Sequence, residues 1–186
     1  RFGPIAVLEF YASTEGTAIL ANVSGKKVGS VGRPLPGSTE VCLAAWDLER
    51  NEPLYSPSGY VRKTDDSETG MLLARVDRHR GELAGKPLRN VFERGDAWSV
   101  SGGLFRKDED DNFWFIDHLS DLIHTANGTL PSIAIEDAAG SLPTVSAAAA
   151  YGLRVSASQE HEVPAVALVL RDGVKFDVEA VGRKVV

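Results

Sequence analysis

The chain has 186 residues, of which 43% are hydrophobic and 25% charged, and its formal net charge is −6 at pH 7. This length suits one ordinary domain or two small ones, and no run of about 18 apolar residues is present that could span a membrane. The basic residues are scattered along the sequence instead of being clustered, which argues against a nucleic-acid-binding protein.

The cysteine content bears on the compartment in which the protein works. A lone cysteine, Cys42, cannot form a disulfide within the chain, which predicts a reducing, cytoplasmic compartment, with any membrane association made through parts outside this sequence.

The chain opens on Arg1-Phe2-Gly3-Pro4 and closes on Val181 to Val186 without a polar tail. We therefore expect a piece of a longer protein.

Strand patterns dominate the first two thirds of the chain. The apolar run Ile5 to Phe10 predicts a short buried strand. Val41 to Asp47 and Met71 to Val76 predict two further strands, and Asn51 to Gly59, which holds two prolines, predicts a loop.

The clearest local pattern predicts a hairpin. Leu104 to Lys107 and Phe113 to Asp117 form its strands, and the five polar residues from Asp108 to Asn112 form its turn. Alternation along a strand places Phe113 and Phe115 on one face.

The pattern changes after Asp117. The predicted elements that follow are a hairpin with its turn at Asn127-Gly128, a helix opened by Pro131 and stopped by Gly140, strands at Val145 to Val155 and Val163 to Leu170, a turn at Arg171 to Gly173, and a helix beginning at Phe176. This order predicts an α+β fold, with a β-rich unit over residues 1–116 and part of a small α+β unit over residues 117–186.

The hexapeptide Tyr-Ala-Ser-Thr-Glu-Gly, residues 11–16, follows the first predicted strand. The hydroxyls of Ser13 and Thr14 suit phosphate oxygens, the carboxylate of Glu15 suits Mg²⁺, and the ring of Tyr11 offers a face to a purine. Six residues alone fit a second interpretation equally well, in which Ser13 or Thr14 caps a helix that continues through residue 20.

The hexapeptide resembles the signature of adenylate-forming enzymes, the group that includes acyl-CoA synthetases and luciferases. The stretches around and after it resemble one branch, the fatty acid transport proteins, which are also called very-long-chain acyl-CoA synthetases. These stretches are residues 8–11 (Leu-Glu-Phe-Tyr), 29–33 (Gly-Ser-Val-Gly-Arg), 46–53 (Trp-Asp-Leu-Glu-Arg-Asn-Glu-Pro), 59–60 (Gly-Tyr), 68–72 (Glu-Thr-Gly-Met-Leu) and 90–98 (Asn-Val-Phe-Glu-Arg-Gly-Asp-Ala-Trp), followed by the hairpin. The resemblance covers nearly the whole chain in the family's order. It implies that residues 1–116 are the distorted, barrel-like β subdomain of a large adenylation domain and that residues 117–186 are a truncated C-terminal lid.

The resemblance implies a fatty-acid–CoA ligase. Such an enzyme joins a long-chain fatty acid to ATP, giving an acyl-adenylate and pyrophosphate, and coenzyme A then displaces AMP to form a thioester. Tyr11, Ala12, Ser13 and Thr14 would contact the nucleotide, with Tyr11 beside the adenine and Thr14 at the phosphate. Thr14 and Glu15 would be the catalytic residues, with Glu15 holding Mg²⁺.

Two positions depart from the family pattern at nucleotide contacts. Ser101-Gly102-Gly103 stands where the family has Thr/Ser-Gly-Asp, whose aspartate binds both ribose hydroxyls, and Asp117-His118 stands where it has Asp-Arg at the hinge. Asp117 would thus be the hinge residue, and Gly103 and His118 would be degenerate nucleotide contacts. Asp96 does not replace the missing aspartate, because the family also has a Gly-Asp at that place.

A third departure and two absent motifs limit the function further. Ala126-Asn127 stands where the lid hairpin of the family has Lys-Gly. By resemblance, the glycine-rich phosphate loop would precede Arg1 and the lysine that catalyses adenylation would follow Val186, so this chain alone is expected to be inactive. The departures leave an alternative open: a non-catalytic domain of this fold that binds a lipid or a partner protein.

Overall fold

The computed structural model describes residues 7–13, 18–76, 86–156 and 158–174. The chain divides into two compact units, Arg1–Ile116 and Asp117–Val186. The fold is mostly β, with one α-helix among the described residues. Within those residues, no helix has the length and apolar character needed to cross a membrane.

The first unit is built from short antiparallel strands. They are β1 (Phe10–Ala12), β2 (Ile19–Ala21), β3 (Arg33–Pro34), β4 (Val41–Ala44), β5 (Trp46–Asp47), β6 (Glu52–Pro53), β7 (Gly70–Arg75), β8 (Leu88–Arg89), β9 (Ala97–Lys107) and β10 (Phe113–His118), the last of which continues into the second unit. One sheet has the order β10-β9-β7-β4 with β8 also on β9, a second has the order β1-β2-β3, and β5 pairs with β6. Among the described residues, the sheets do not close into a barrel. Open sheets of this kind are still compatible with the predicted distorted, barrel-like subdomain.

The core of the first unit joins these two larger sheets. Leu20 of β2 packs with Leu72 of β7, Phe105 of β9 and Phe113 of β10, and all four side chains are buried. Alternation along β9 and β10 explains this core, because every second residue of a strand points to the same side.

Two predicted strands differ from the observed ones. β1 begins only at Phe10, and Val7 and Leu8 are 77% and 55% exposed, so the prediction of a buried strand is wrong for the part that is described. An apolar run shows that a segment can be buried, but not which layer covers it. The strand predicted over Val41 to Asp47 breaks at Ala45, whose N–H donates to the carbonyl of Arg62 and whose carbonyl accepts from Leu54.

The remaining predictions for the first unit hold with small changes. The predicted loop at Asn51 to Gly59 contains the short strand β6, which pairs with β5. The hairpin of β9 and β10 is confirmed, and its turn closes with a hydrogen bond of 3.0 Å from the N–H of Asp108 to the carbonyl of Asn112.

The described residues of the second unit form two hairpins and a helix. Its elements are a 3₁₀ turn at Leu119–Asp121, β11 (Ile123–Thr125), β12 (Gly128–Leu130), α1 (Ser132–Gly140), β13 (Val145–Leu153) and β14 (Val163–Leu170). β11 pairs with β12 and β13 pairs with β14, both antiparallel. Ile123, Ala139 and Val145 are buried at the centre of this unit.

The predicted hairpin turn, helix and strands β13 and β14 lie within two residues of the observed ones, whereas the sequence did not predict the 3₁₀ turn. The two-residue turn of the first hairpin is Ala126-Asn127, one residue before the predicted pair, because Thr125 and Gly128 are opposite each other in the ladder. Pro131 occupies the N-cap of α1 instead of its first turn, and Gly140 is the last helical residue. The helix predicted from Phe176 lies outside the described residues.

Candidate functional site

A bulge in β9 marks the candidate site. The register between β7 and β9 shifts so that residues 101–103 all lie opposite Leu72, and Gly102 adopts a φ of 76°. Bulges of this kind bend a strand and re-aim its side chains, and they are frequent beside functional sites. Here the bulge brings Ser101 and Gly103 next to Tyr11, the first residue of the hexapeptide.

Tyr11 is held by aromatic packing and by one hydrogen bond. Its ring contacts Phe105 edge-on at a centroid distance of 4.8 Å and stacks on Phe115 at 6.1 Å. Burial raises the pKa of the Tyr11 hydroxyl, and a hydrogen bond with Ser101 offsets part of that rise. The hydroxyl is therefore protonated at neutral pH and can both donate and accept a hydrogen bond.

Gly103 leaves no room for a side chain. A Cβ atom at this position would lie 2.8 Å from Cε2 of Phe105 and 3.2 Å from the hydroxyl oxygen of Tyr11. Phe105 is fully buried, so its ring cannot yield without disturbing the core. Phe105 and Tyr11 thus occupy the space that an aspartate side chain at position 103 would need.

Ser13 is joined to Ala18 by two hydrogen bonds. Its N–H donates to the carbonyl of Ala18 at 3.0 Å, and its hydroxyl accepts from the N–H of Ala18 at 3.0 Å. Ile19 then begins β2, so the alternative of a helix through residue 20 is wrong. Thr14 and Glu15 lie outside the described residues, and their roles stay predictions. Ala12 ends β1 and is exposed.

Asp96 has a structural role. Its carboxylate is buried and accepts from the N–H groups of Val91, Phe92 and Glu93 at 2.6, 2.9 and 3.1 Å and from Nε1 of Trp98 at 2.8 Å. Burial would raise the pKa of Asp96, but these hydrogen bonds outweigh burial and the pKa is lowered. Because this carboxylate already accepts four hydrogen bonds from the protein, it has no acceptor position left for a ligand.

Asp117 caps the helix of the second unit. It is 1% exposed, and its Oδ2 accepts from the N–H and the hydroxyl of Ser132 while its Oδ1 accepts from the N–H of His118 at 2.8 Å. Pro131 has no side chain that could cap α1, and a carboxylate is also favoured by the positive end of the helix dipole. The residue predicted as a hinge is therefore bound tightly to its own unit.

A cavity of 510 Å³ beside this cap is lined by acidic side chains that already have partners. Glu136 accepts from the N–H of Ala150 at 2.9 Å, and Glu162 accepts from the N–H of His124 at 3.0 Å. His118 lines the cavity and is exposed. No group of three or more metal-binding side chains occurs in the described part of the chain.

The predicted site residues that the structure describes are divided between the two units. Tyr11 and Gly103 are neighbours in the first unit, whereas Asp117 and His118 belong to the second. Sequence analysis did not single out Ser101 or Phe105, which shape the site around Tyr11. The paired glycines after Ser101 were the available signal, because a glycine inside a strand often marks a bulge.

No protein-family model matches the chain. The curated proteins similar to it include a fatty-acid–CoA ligase and fatty acid transport proteins. The whole chain is 31% identical to the medium/long-chain-fatty-acid–CoA ligase FadD6 of Mycobacterium tuberculosis and covers 32% of it. It is 28% identical over 95% of its length to long-chain fatty acid transport protein 2 of Rattus norvegicus, of which it covers 30%. The chain therefore spans about a third of the length of these relatives.

Comparison with solved structures establishes the fold. The amide bond synthetase McbA of Marinactinospora thermotolerans matches with a TM-score of 0.66 and 24% identity, over 96% of this chain and 34% of that one. The O-succinylbenzoate coenzyme A synthetase of Bacillus subtilis in complex with ATP and magnesium matches with a TM-score of 0.63 and 21% identity, over 90% of this chain and 32% of that one. An ATP-bound RpMatB–BxBclM chimera matches with a TM-score of 0.72 and 18% identity, over 97% and 34%. The chain has the fold of the corresponding part of adenylate-forming synthetases.

Proposed function

From the adenylate-forming fold and the similarity to fatty acid transport proteins and an acyl-CoA ligase, we propose that this chain is the ATP-facing β subdomain and part of the lid of a fatty acyl-CoA synthetase. The complete enzyme would join a long-chain fatty acid to ATP with release of pyrophosphate, and the thiol of coenzyme A would then displace AMP. The observation that carries the proposal is the similarity to FadD6 over the whole chain, with Tyr11 of the signature held at a strand bulge.

The described residues fit part of a nucleotide site. Tyr11 and Ser101 offer hydroxyl groups and an aromatic edge, which suit a base and a sugar. They carry no charge that could balance a triphosphate. That charge would come from Mg²⁺ held by Glu15, which offsets the negative charge that builds on the phosphates when the carboxylate attacks.

The substitutions at the nucleotide contacts predict weak ATP binding. A hydrogen bond to a charged group contributes about 1.5–3 kcal/mol, and Gly103 supplies no such group where the family pattern has a carboxylate. His118 is shorter than arginine and does not offer the fork of five N–H donors that a guanidinium presents to a nucleotide. Thr14 at the phosphate and the aromatic contact of Tyr11 remain as proposed contacts to ATP.

The second candidate function is a non-catalytic domain that binds a lipid or a partner protein. The observation in its favour is the packing at Gly103, because Phe105 fills the space that a carboxylate side chain would need. A site remodelled in this way has lost a contact that a single substitution does not restore.

Pyrophosphate release tests the first proposal. We expect the complete protein that contains this sequence to release pyrophosphate when it is mixed with Mg-ATP and a long-chain fatty acid in a reducing buffer that resembles the cytoplasm. This chain alone should release none. Glu15→Gln should abolish the release, whereas Glu109→Gln, in the exposed hairpin turn, should leave it unchanged.

Calorimetry separates the two candidates. Micromolar binding of Mg-ATP to the complete protein would argue against the non-catalytic interpretation. A folded preparation that neither binds Mg-ATP nor releases pyrophosphate with fatty acids of any chain length would contradict the enzymatic one.

A further inference from the structure

The hydroxyl groups of Tyr11 and Ser101 form a pair at the bulge of β9. They are hydrogen-bonded to each other, and the Oγ of Ser101 also accepts from the N–H of Gly103 at 3.1 Å. Tyr11 and Ser101 are both half-buried, so the pair is held by the protein and is still open on one side. It offers a ligand polar groups that carry no charge.

The surrounding packing fixes both members of the pair. The ring of Tyr11 lies edge-on to Phe105 at a centroid distance of 4.8 Å and stacks on Phe115 at 6.1 Å, and Phe105 is fully buried. Ser101 is held by the N–H of Gly103 within the bulge. Polar groups that are held in this way need little rearrangement when a ligand binds.

A count of protons and lone pairs shows what the pair can still bind. A hydroxyl group has one proton to donate and can also accept. One of the two protons is used within the pair, and the N–H of Gly103 occupies one lone pair of Ser101. Whichever residue donates to the other, one hydroxyl proton and at least one lone pair remain. The pair can therefore donate to a further hydroxyl group or accept from one.

Position 103 keeps this contact neutral. A Cβ atom there would lie 3.2 Å from the hydroxyl oxygen of Tyr11 and 2.8 Å from Cε2 of Phe105. A longer side chain would thus meet the hydroxyl of Tyr11 at the place where it pairs with Ser101. The glycine and the hydroxyl pair belong to the same arrangement, in which a carboxylate from position 103 has no room.

We propose that the hydroxyl pair of Tyr11 and Ser101 contacts the sugar of ATP and that the site also accepts deoxyribose nucleotides. This inference rests on the proposed function, in which both residues face the nucleotide. A site rejects a substrate that lacks a hydroxyl group when a buried polar group of the protein is then left unpaired. Here the two protein hydroxyls pair with each other, and water can replace a missing sugar hydroxyl because both residues are half-buried.

The size of the expected effect follows from the neutral contact. A hydrogen bond between uncharged groups changes a dissociation constant by about two- to tenfold, whereas one to a charged group changes it by more than about tenfold. The loss of one sugar hydroxyl should therefore weaken binding by no more than about tenfold.

Calorimetric titration of the complete protein with Mg-ATP, Mg-2′-deoxyATP and Mg-3′-deoxyATP tests the proposal. We expect at least one deoxy analogue to bind about two- to tenfold more weakly than ATP, and neither to bind more weakly than that. A larger loss would overturn this inference and leave the proposed function standing. Equal affinities for all three would show that the pair does not contact the sugar, and binding of none of them would overturn the proposed function together with this inference.

Substitutions of Ser101 distinguish a sugar contact from a purely structural role. Ser101→Ala should weaken the binding of ATP and leave the discriminated analogue nearly unchanged, so that the ratio of their dissociation constants falls to about one. Ser101→Thr keeps the hydroxyl group and should keep the ratio. An equal loss for ATP and the analogues in Ser101→Ala would mean that Ser101 only supports the bulge, and it would refute the contact. The comparison of nucleotides in the unchanged protein does not depend on whether either variant folds.

Discussion

Gly103 affects the packing of the candidate site through the side chain that it lacks. Glycine is commonly valued for its backbone freedom, but the strain at this bulge falls on Gly102, which has the positive φ. Gly103 matters because its missing side chain leaves space for the ring of Phe105 and the hydroxyl of Tyr11. The aromatic packing therefore depends on the absence of a carboxylate side chain at position 103.

Gly103→Ala should destabilise the first unit. The new Cβ would lie 2.8 Å from Phe105, and overpacking of a tight core costs about 1–3 kcal/mol. Gly140→Ala is the matched control, because a Cβ at the end of α1 would meet nothing within 4 Å, and alanine is the better helix former. Urea unfolding curves of the three proteins would show the difference, and equal midpoints would contradict the packing assigned to position 103.

Gly103→Asp is accordingly expected to lower stability without strengthening ATP binding. The carboxylate could reach a nucleotide only after Phe105 has moved, so a gain in affinity should require Phe105→Leu in the same protein. Calorimetric titration with Mg-ATP of the single and double variants checks this. Tighter binding by the single variant at undiminished stability would show that the ring of Phe105 yields easily.

Asp96 should make the stability of the first unit depend on pH. Because its pKa is lowered in the folded state from an ordinary value of 3.8, its contribution is complete above about pH 4 and is lost as the pH falls through the lower folded value. In Asp96→Asn the amide cannot accept all four hydrogen bonds, which should cost about 1–3 kcal/mol at pH 7 and remove this acid-induced loss.

Unfolding free energies measured from pH 7 to pH 2.5 would test the prediction for Asp96. Asp66→Asn, a change at an exposed carboxylate of the same unit, should keep the pH profile of the unchanged protein. Parallel profiles for Asp96→Asn and Asp66→Asn would show that Asp96 has no special coupling to folding.

At the scale of elements, local contacts could be predicted and distant ones could not. The hairpin of β9 and β10 was recognisable because five consecutive polar residues separate two apolar runs. Its turn is also held by Lys27, which forms an ion pair with Asp108 at 2.8 Å. No local pattern shows that two residues 81 positions apart will meet.

The helix α1 shows the same limit. Its start and end followed from Pro131 and Gly140, but its cap comes from Asp117, 15 residues before Ser132. The bulge at residues 101–103 was missed for a related reason, because it exists only relative to the register of β7. Motifs thus predict which residues belong to the candidate site, while the arrangement of those that the structure describes depends on pairings between strands.

Removing the cap should loosen α1 specifically. Asp117→Ala leaves the N–H groups of Ser132 and His118 without this acceptor, and the loss of a cap costs about 0.5–2 kcal/mol. Asp117→Asn keeps one acceptor oxygen and should cost less, and Asp121→Ala, at an exposed residue of the preceding turn, should cost little. Amide hydrogen exchange at Ser132 and Ile133 would report the change, and unaltered protection in Asp117→Ala would disprove the capping role.

At the scale of the whole molecule, each of the two units has buried apolar residues of its own among those that the structure describes. Leu20, Leu72 and Phe105 are buried in the first unit, and Ile123 and Val145 are buried in the second. We interpret the second unit as the lid of the proposed enzyme. A lid of this kind lets one protein assemble two successive active sites, which requires that each unit keep its own structure.

Two separate cores should give two unfolding transitions in calorimetry, because units with their own cores generally fold as units. Gly103→Ala should lower the midpoint of the transition assigned to the first unit and leave the other unchanged. Asp117→Ala should do the reverse, because the cap and the helix that it serves lie in the second unit. A single transition that moves with both substitutions would mean that the two units unfold together, and a movable lid would then need a different structural basis.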